Sequence, residues 1–257
     1  MSESNVHAFG GSGEEGAALD DARRDLAAAF RWAARFGFNE GIANHFSLAV
    51  SDDGRRFLVN PYGRHWARIK ASELILVDAD DPGDLVTSHT VDATAFHIHG
   101  PIHKAAPHAR CVLHTHMKYA TVLSCLTDSR LLPIDQNTMR FYGKVAIDDG
   151  FEGMAMEGAE GERLASVLGD KSVLVMGNHG VVVVGPTVAR AFDDLYYFEK
   201  ACETLMTAYA TGKELRVVSD AVAGQTVADW ESIPDMQERH FSELRAILDE
   251  LEPGYKD

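Results

Sequence analysis

The chain has 257 residues, of which 46% are hydrophobic, 25% charged and 9% aromatic, the make-up of a globular protein of one large domain or two small ones. With 39 acidic against 24 basic side chains the formal charge is −15, a field that repels polyanions and argues against nucleic acid as a partner. The three cysteines, Cys111, Cys125 and Cys202, form no CxxC pair and support neither a disulfide framework nor a thiolate zinc site, and no apolar run nears the roughly 20 residues of a membrane span, so a cytoplasmic protein without membrane contact is expected.

Residues 1–16, MSESNVHAFGGSGEEG, have neither the basic start nor the apolar segment of a secretory signal, and they bury too little to offset the entropy of ordering. A disordered tail is expected there. The spacing of Leu26, Phe30 and Ala33, closed by Gly37, predicts a helix over 20–36. Segments 46–50 and 56–59 read as a hairpin around Ser51-Asp52-Asp53-Gly54, and 74–78 as a short strand closed by Asp80-Asp-Pro-Gly83. A helix carrying Phe96 and Ile98 is expected from caps near Thr87 and Ser88, with Gly100-Pro101 kinking or breaking it.

Segment 110–116 is strand-like and 119–126 helical, and 172–176 with 181–184 make a second strand pair about Gly177-Asn-His-Gly180. Pro186 opens the clearest helix, striped by Val188, Phe192, Leu195, Phe198, Cys202, Leu205 and Tyr209 and closed by Gly212. Beyond Arg216 the chain reads as loop until Ser232-Ile-Pro-Asp235 starts a last amphipathic helix through Leu244, Ile247, Leu248 and Leu251. The economical division is one mixed α/β domain over 17–216 and a C-terminal extension over 217–257, whose helix docks on a neighbour or on the domain's own edge.

Histidine carries the chemical signal. Of twelve in the chain, His97, His99, His103, His108, His114 and His116 lie within twenty residues. In His114-Thr-His116, strand alternation points both imidazoles to one face, where they can chelate one ion, and His179 sits in the glycine-flanked turn, from which a ring can reach a neighbouring strand end. Three imidazoles on one ion leave a coordination position free, as catalytic metal sites do. Taken alone, an HxH pair is weak evidence of a metal and is more often explained by hydrogen bonds at a strand end.

The combination of Glu40-Gly-Ile-Ala-Asn-His-Phe-Ser47, Asn60-Pro-Tyr-Gly63, Cys111-Val-Leu-His-Thr-His116 and Asn178-His-Gly180 resembles the class II aldolase/adducin family over roughly residues 19–209. The resemblance implies a three-layer α/β/α sandwich on a mixed, largely antiparallel sheet. It implies one divalent metal ion per subunit on His114, His116 and His179, zinc first, with manganese or iron as alternatives. It also implies a homo-oligomer, a tetramer or larger, with the site near a subunit boundary. The ion would polarise a carbonyl oxygen and stabilise the enolate formed when a neighbouring bond breaks.

The chain departs from the sugar-phosphate aldolases of that family. Their Ser-Ser-Glu run, whose glutamate is a metal ligand and acid/base group, aligns without gaps on Ala93, Thr94 and Ala95, and their Thr-Gly turn on Tyr62-Gly63. A phosphorylated sugar is therefore not expected, and the chain looks closer to the adducin-like branch, which holds noncatalytic adducin heads with incomplete metal histidines alongside decarboxylases of aromatic acids and iron-dependent oxidative decarboxylases.

His99, one helical turn beyond Ala95, and His45, in the family's substrate loop, are the first candidates to replace the lost carboxylate, with Tyr142 and His65 next. Asn44, Ser47, Tyr62, Gly63, Arg64 and His65 are candidate substrate contacts, and Arg64, Arg68 or Arg140 could fork a substrate carboxylate. His7, His89, His108 and His240 read as exposed, and His97 and His103 stay open beside Pro101. The expected activity is a metal-dependent carbon–carbon lyase, a decarboxylase or retro-aldolase, on a small non-phosphorylated oxo, hydroxy or aromatic carboxylic acid. The rivals are a non-haem iron(II) oxygenase and a noncatalytic assembly module.

Overall fold

A computed structural model describes residues 13–150 and 158–257. Among them, seven strands form one sheet: β1 (His45–Ala49), β2 (Arg56–Val59), β3 (Ile75–Asp78), β4 (Cys111–Thr115), β5 (Val145–Asp148), β6 (Val173–Met176) and β7 (Gly180–Gly185). Their spatial order is β3-β2-β1-β4-β7-β6-β5, and every neighbouring pair is antiparallel except β5 with β6. The helices are α1 (Gly13–Phe36), α2 (Ala93–Ala105), α3 (Lys118–Ser124), α4 (Gln136–Met139), α5 (Gly158–Leu168), α6 (Val188–Ala210), α7 (Asp220–Glu231) and α8 (Met236–Leu251).

Strand alternation assigns each side chain to a face. Cys111 and Leu113 of β4, Val173 and Val175 of β6, and Val181 and Val183 of β7 enter one core with Leu26 and Phe30 of α1, Phe192 and Phe198 of α6, and Leu244 and Leu248 of α8. Val112, Leu174, Val182 and Val184 point the other way, onto Ile98 and Ile102 of α2 and Leu164 and Leu168 of α5. The result is the α/β/α sandwich expected from the sequence.

Several boundaries differ from expectation for local reasons. Residues 13–16, expected in the tail, begin α1, and 1–12 lie outside the described residues. Helix α2 starts five residues beyond Ser88, because Asp92 is its cap and its Oδ1 accepts from the Thr94 amide at 2.7 Å. The Thr87 and Ser88 hydroxyls instead donate to the Asp84 and Leu85 carbonyls within the preceding turn.

Pro101 does not break α2, which continues to Ala105. The proline deprives the His97 carbonyl of its intrahelical donor, and α5 closes on that carbonyl: a Cβ at Gly161 would stand 1.8 Å from His97 O. Only a glycine allows two backbones so near one another.

The stretch read as loop after Arg216 contains α7, capped by Ser219. Helices α4 and α5 and strand β5 were not expected at all. The terminal helix α8 docks on its own subunit: Phe241 meets Phe192 with ring centroids 5.8 Å apart, and Trp32 Nε1 donates to Leu244 O at 2.7 Å.

Candidate metal centre

The sheet register builds the site. His45 of β1 pairs with His114 of β4, which pairs with Val182 of β7, so the end of the central strand lies beside the β6–β7 turn. His116 follows the end of β4 and His179 sits in that turn. Asn178, at φ 56°, holds the left-handed conformation that swings His179 back over the strand, and Asn44, at φ 70°, precedes His45 in the same way.

The three rings form a nearly equilateral set. Centroid separations are 5.0 Å for His114 and His116, 4.9 Å for His114 and His179, and 4.9 Å for His116 and His179. One nitrogen from each lies within 4.8 Å of the other two. Gly180 makes this closure sterically feasible, since a Cβ there would stand 2.6 Å from Thr115 O and 2.8 Å from His116 Cδ2.

Outer partners fix which nitrogen faces inward. His114 Nδ1 donates to Val181 O at 3.0 Å, and His116 Nδ1 donates to Glu40 Oε2 at 2.5 Å. Each then turns Nε2 toward the cluster, and His116 Nε2 is buried without a hydrogen-bond partner. An orphaned ring nitrogen, a carboxylate behind one imidazole and a carbonyl behind another are the supporting contacts of a metal-binding histidine set. Burial first, and the neighbouring imidazoles after it, hold His114 well below its ordinary pKa, and burial brings His179 down to about 4. Near neutral pH the His114 and His179 rings are therefore uncharged, the form that ligates. The donor set fits a divalent ion.

Beside this triad runs a file of buried polar groups. The His45 ring lies 4.8 Å from His114, and its Nδ1 is 2.7 Å from His99 Nε2. His99 Nδ1 is 2.5 Å from Ser47 Oγ, which is 2.7 Å from His103 Nε2, and His103 Nδ1 donates to Ala109 O at 2.8 Å. At the other end His45 Nε2 is 3.2 Å from Thr94 Oγ1, which donates to Asp92 Oδ1 at 2.6 Å.

The structure sorts the remaining expected site residues. His99 and Ser47 are fully buried behind His45, so neither is exposed to a substrate, and His45 is the acid/base candidate adjoining the triad. Ala95 lies in the apolar cluster of Phe57, Val59, Val77 and Val91, and Thr94 is the α2 residue facing His45. Tyr142 hydrogen-bonds Asp220 of α7. Arg140 is buried against Asp193 and Asp194 and stacks on Tyr197, and Arg64 forks Glu73 at 2.5 and 3.3 Å, so both are committed and neither is free to take a substrate carboxylate. Arg68 is exposed and makes no ion pair among the described residues.

Pro61, Tyr62, Gly63, Arg64 and Glu73 line an open depression of about 350 Å³. It is tied to the metal centre through one loop: Asn39 Nδ2 contacts His65 Nε2 at 3.3 Å, and the next residue, Glu40, holds His116. His65 also caps the short turn at 66–68 through Nδ1, so it fastens two loops together. Asn44 is buried with Oδ1 unpartnered. Glu40 had no role in the sequence reading. Its signal was the motif opening with it, four residues before Asn44. His103, left open, proves to be the inner end of the file, and His240, expected exposed, donates to Asp193 at 2.6 Å.

With this geometry, the chain belongs to the class II aldolase and adducin family: residues 24–206 match the family model described as Class II Aldolase and Adducin N-terminal domain. The crystal structure of an aldolase II superfamily protein from Pseudomonas syringae superposes with a TM-score of 0.84 at 34% identity, covering 96% of this chain and 98% of that one. Decarboxylase NovR of Streptomyces niveus is 30% identical over 131 residues, 51% of this chain and 48% of NovR. Alpha-adducin of Rattus norvegicus is 33% identical over 131 residues, 49% of this chain and 17% of the adducin. No helix among the described residues is long and apolar enough to cross a membrane.

Proposed function

We propose that this protein is a metal-dependent carbon–carbon lyase, a decarboxylase or retro-aldolase, acting on a small non-phosphorylated oxo, hydroxy or aromatic carboxylic acid. One observation carries the reading: His114, His116 and His179 converge with the inward nitrogens of the first two selected by Val181 and Glu40. A divalent ion held there, zinc first with manganese or iron as alternatives, would supply Lewis-acid polarisation of a substrate carbonyl. The other groups belong to the chain. Helix α2 offers Thr94 to this region, not the carboxylate expected of the family's sugar-phosphate aldolases.

Decarboxylation suits that arrangement. The bond to the carboxylate breaks, its electron pair stays on the carbon beside the carbonyl, carbon dioxide leaves, and a single proton must be returned to that carbon. His45 adjoins the triad and is the group that returns it. Among the described residues Arg68 makes no ion pair, which leaves it, of the three arginine candidates, free to meet a carboxylate. The name of NovR, a decarboxylase, supports the same class.

The experiment is turnover of a panel of 2-oxo, hydroxy and aromatic acids in anaerobic buffer, with the protein stripped by chelator and reloaded with zinc, manganese or iron(II). Carbon dioxide or aldehyde release that follows metal loading is the expected result. Turnover that requires oxygen would replace the lyase by an oxygenase, and a protein that takes up no metal would end the reading.

A further inference from the structure

The buried file beside the metal centre has a direction, and the direction follows from its inner end. A carbonyl oxygen can only accept, so His103 Nδ1 carries the proton it gives to Ala109 O. His103 is buried, and burial brings its pKa down to about 4, so at neutral pH the ring holds one proton and its Nε2 is a lone pair. The Ser47 hydroxyl has one hydrogen and spends it on that Nε2. Ser47 Oγ must then accept from His99 Nδ1. His99, held well below its ordinary pKa by burial and by its histidine neighbours, is neutral too, so its Nε2 accepts from His45 Nδ1.

Each step leaves the next group one choice. The file ends on Thr94, whose only hydroxyl hydrogen goes to Asp92 Oδ1. Nothing there donates to His45 Nε2. We propose that His103 and Ser47 are positioning residues that fix the tautomers of His99 and then His45, so that His45 turns an unprotonated Nε2 toward Thr94.

The inference deepens the lyase reading, on which only its relevance to turnover rests. All three rings are then protonated at Nδ1, the reverse of the Nε2 preference of free histidine in water. Five neutral groups (Thr94, His45, His99, Ser47 and His103) supply five hydrogens to a file of six hydrogen bonds with an acceptor at each end. The unfilled bond is the one at His45 Nε2, so in the resting protein that nitrogen is a proton acceptor: it takes a proton from substrate or solvent first, and only then is His45 the group that returns one to the substrate carbon.

The test is solid-state nitrogen-15 NMR of histidine-labelled, metal-free protein at pH 8, with the three rings assigned from His45→Gln, His99→Gln and His103→Gln variants. The expected result is a protonated Nδ1 and an unprotonated Nε2 at His103, His99 and His45. Ser47→Ala should leave His103 unchanged while His99 and His45 shift toward the Nε2–H form, and Ser47→Thr should restore the original signals. His103→Leu cuts the file at its source and should shift the same two rings. A wild-type His99 or His45 protonated at Nε2 overturns the proposal without any variant having to fold, and so do unchanged tautomers in folded Ser47→Ala or His103→Leu protein. A protein inactive on every acid yet showing this tautomer set removes the lyase reading and leaves the file standing. An active lyase with Nε2–H at His45 does the reverse.

Discussion

Glu40 and His116 are 76 positions apart in the chain, and the carboxylate of the first accepts a 2.5 Å hydrogen bond from Nδ1 of the second. A loop after α1 thereby orients a ring beyond the end of β4 and leaves its Nε2 for an ion. Carboxylates behind metal-binding imidazoles hold the ring in its ligating tautomer and raise its basicity. Glu40→Gln should weaken divalent metal binding about 10–100-fold, read by competition with a chromophoric chelator, while leaving the melting temperature of the metal-free protein within about a degree of wild type, because Glu40 is exposed. Equal affinity in the two proteins would deny Glu40 this part.

Gly180→Ala places a methyl against Thr115 O and His116 Cδ2. The turn must open or His116 must move. A loss of about 1–3 kcal/mol in folding stability is expected from the overpacking, together with weaker metal binding. Chemical denaturation and metal titration of the same variant check the pair, and unchanged values in both would mean that the turn absorbs the methyl.

Acid should unfold the metal-free protein earlier than carboxylate titration alone would. The folded pKa of His103 is about 4, below the ordinary 6.5 of an exposed ring. Between these values the unfolded chain binds the proton and the folded one does not, so stability is intact above about 6.5 and falls as pH drops toward 4, with the loss complete below that. His99 and His114 are also lowered by burial. Calorimetric melts across the window should therefore show more than one proton taken up on unfolding, and a melting temperature flat from pH 6.5 to 4 would contradict it.

Arg140→Met removes one half of a buried pair and leaves Asp193 with only His240. Breaking such a pair costs about 3–5 kcal/mol, so the variant should melt markedly lower and still bind metal at the wild-type ratio. A normal melting temperature with a raised KM would return Arg140 to the substrate.

The sequence showed most plainly those elements whose burial is periodic. Helix α6 displays its stripe because its buried residues recur every three or four positions, and the β6–β7 pair because valines flank a glycine turn. Helix α7 gave no such signal since Ala223 is its only buried residue, and β5 is too short and half-exposed to alternate cleanly. The three ligand candidates were legible as an HxH pair and a turn histidine, because strand alternation is a local rule. The positions of His99, Ser47 and His103 were not, because they depend on how α2 lies across β1. A proline in α2 read as a kink or a break, and the helix runs on past it because a glycine in another helix accommodates the freed carbonyl.

In the order β3-β2-β1-β4-β7-β6-β5, the residues that hold the triad and its neighbour His45 come from the three innermost strands and the segments leading into and out of them. Sheets fray from their margins inward. Two strands on either side must peel away before the spacing of these imidazoles is disturbed, so the centre is sheltered from the local openings that loosen the rim. Variation can accumulate at β3 and β5 while the chemistry in the middle keeps its geometry.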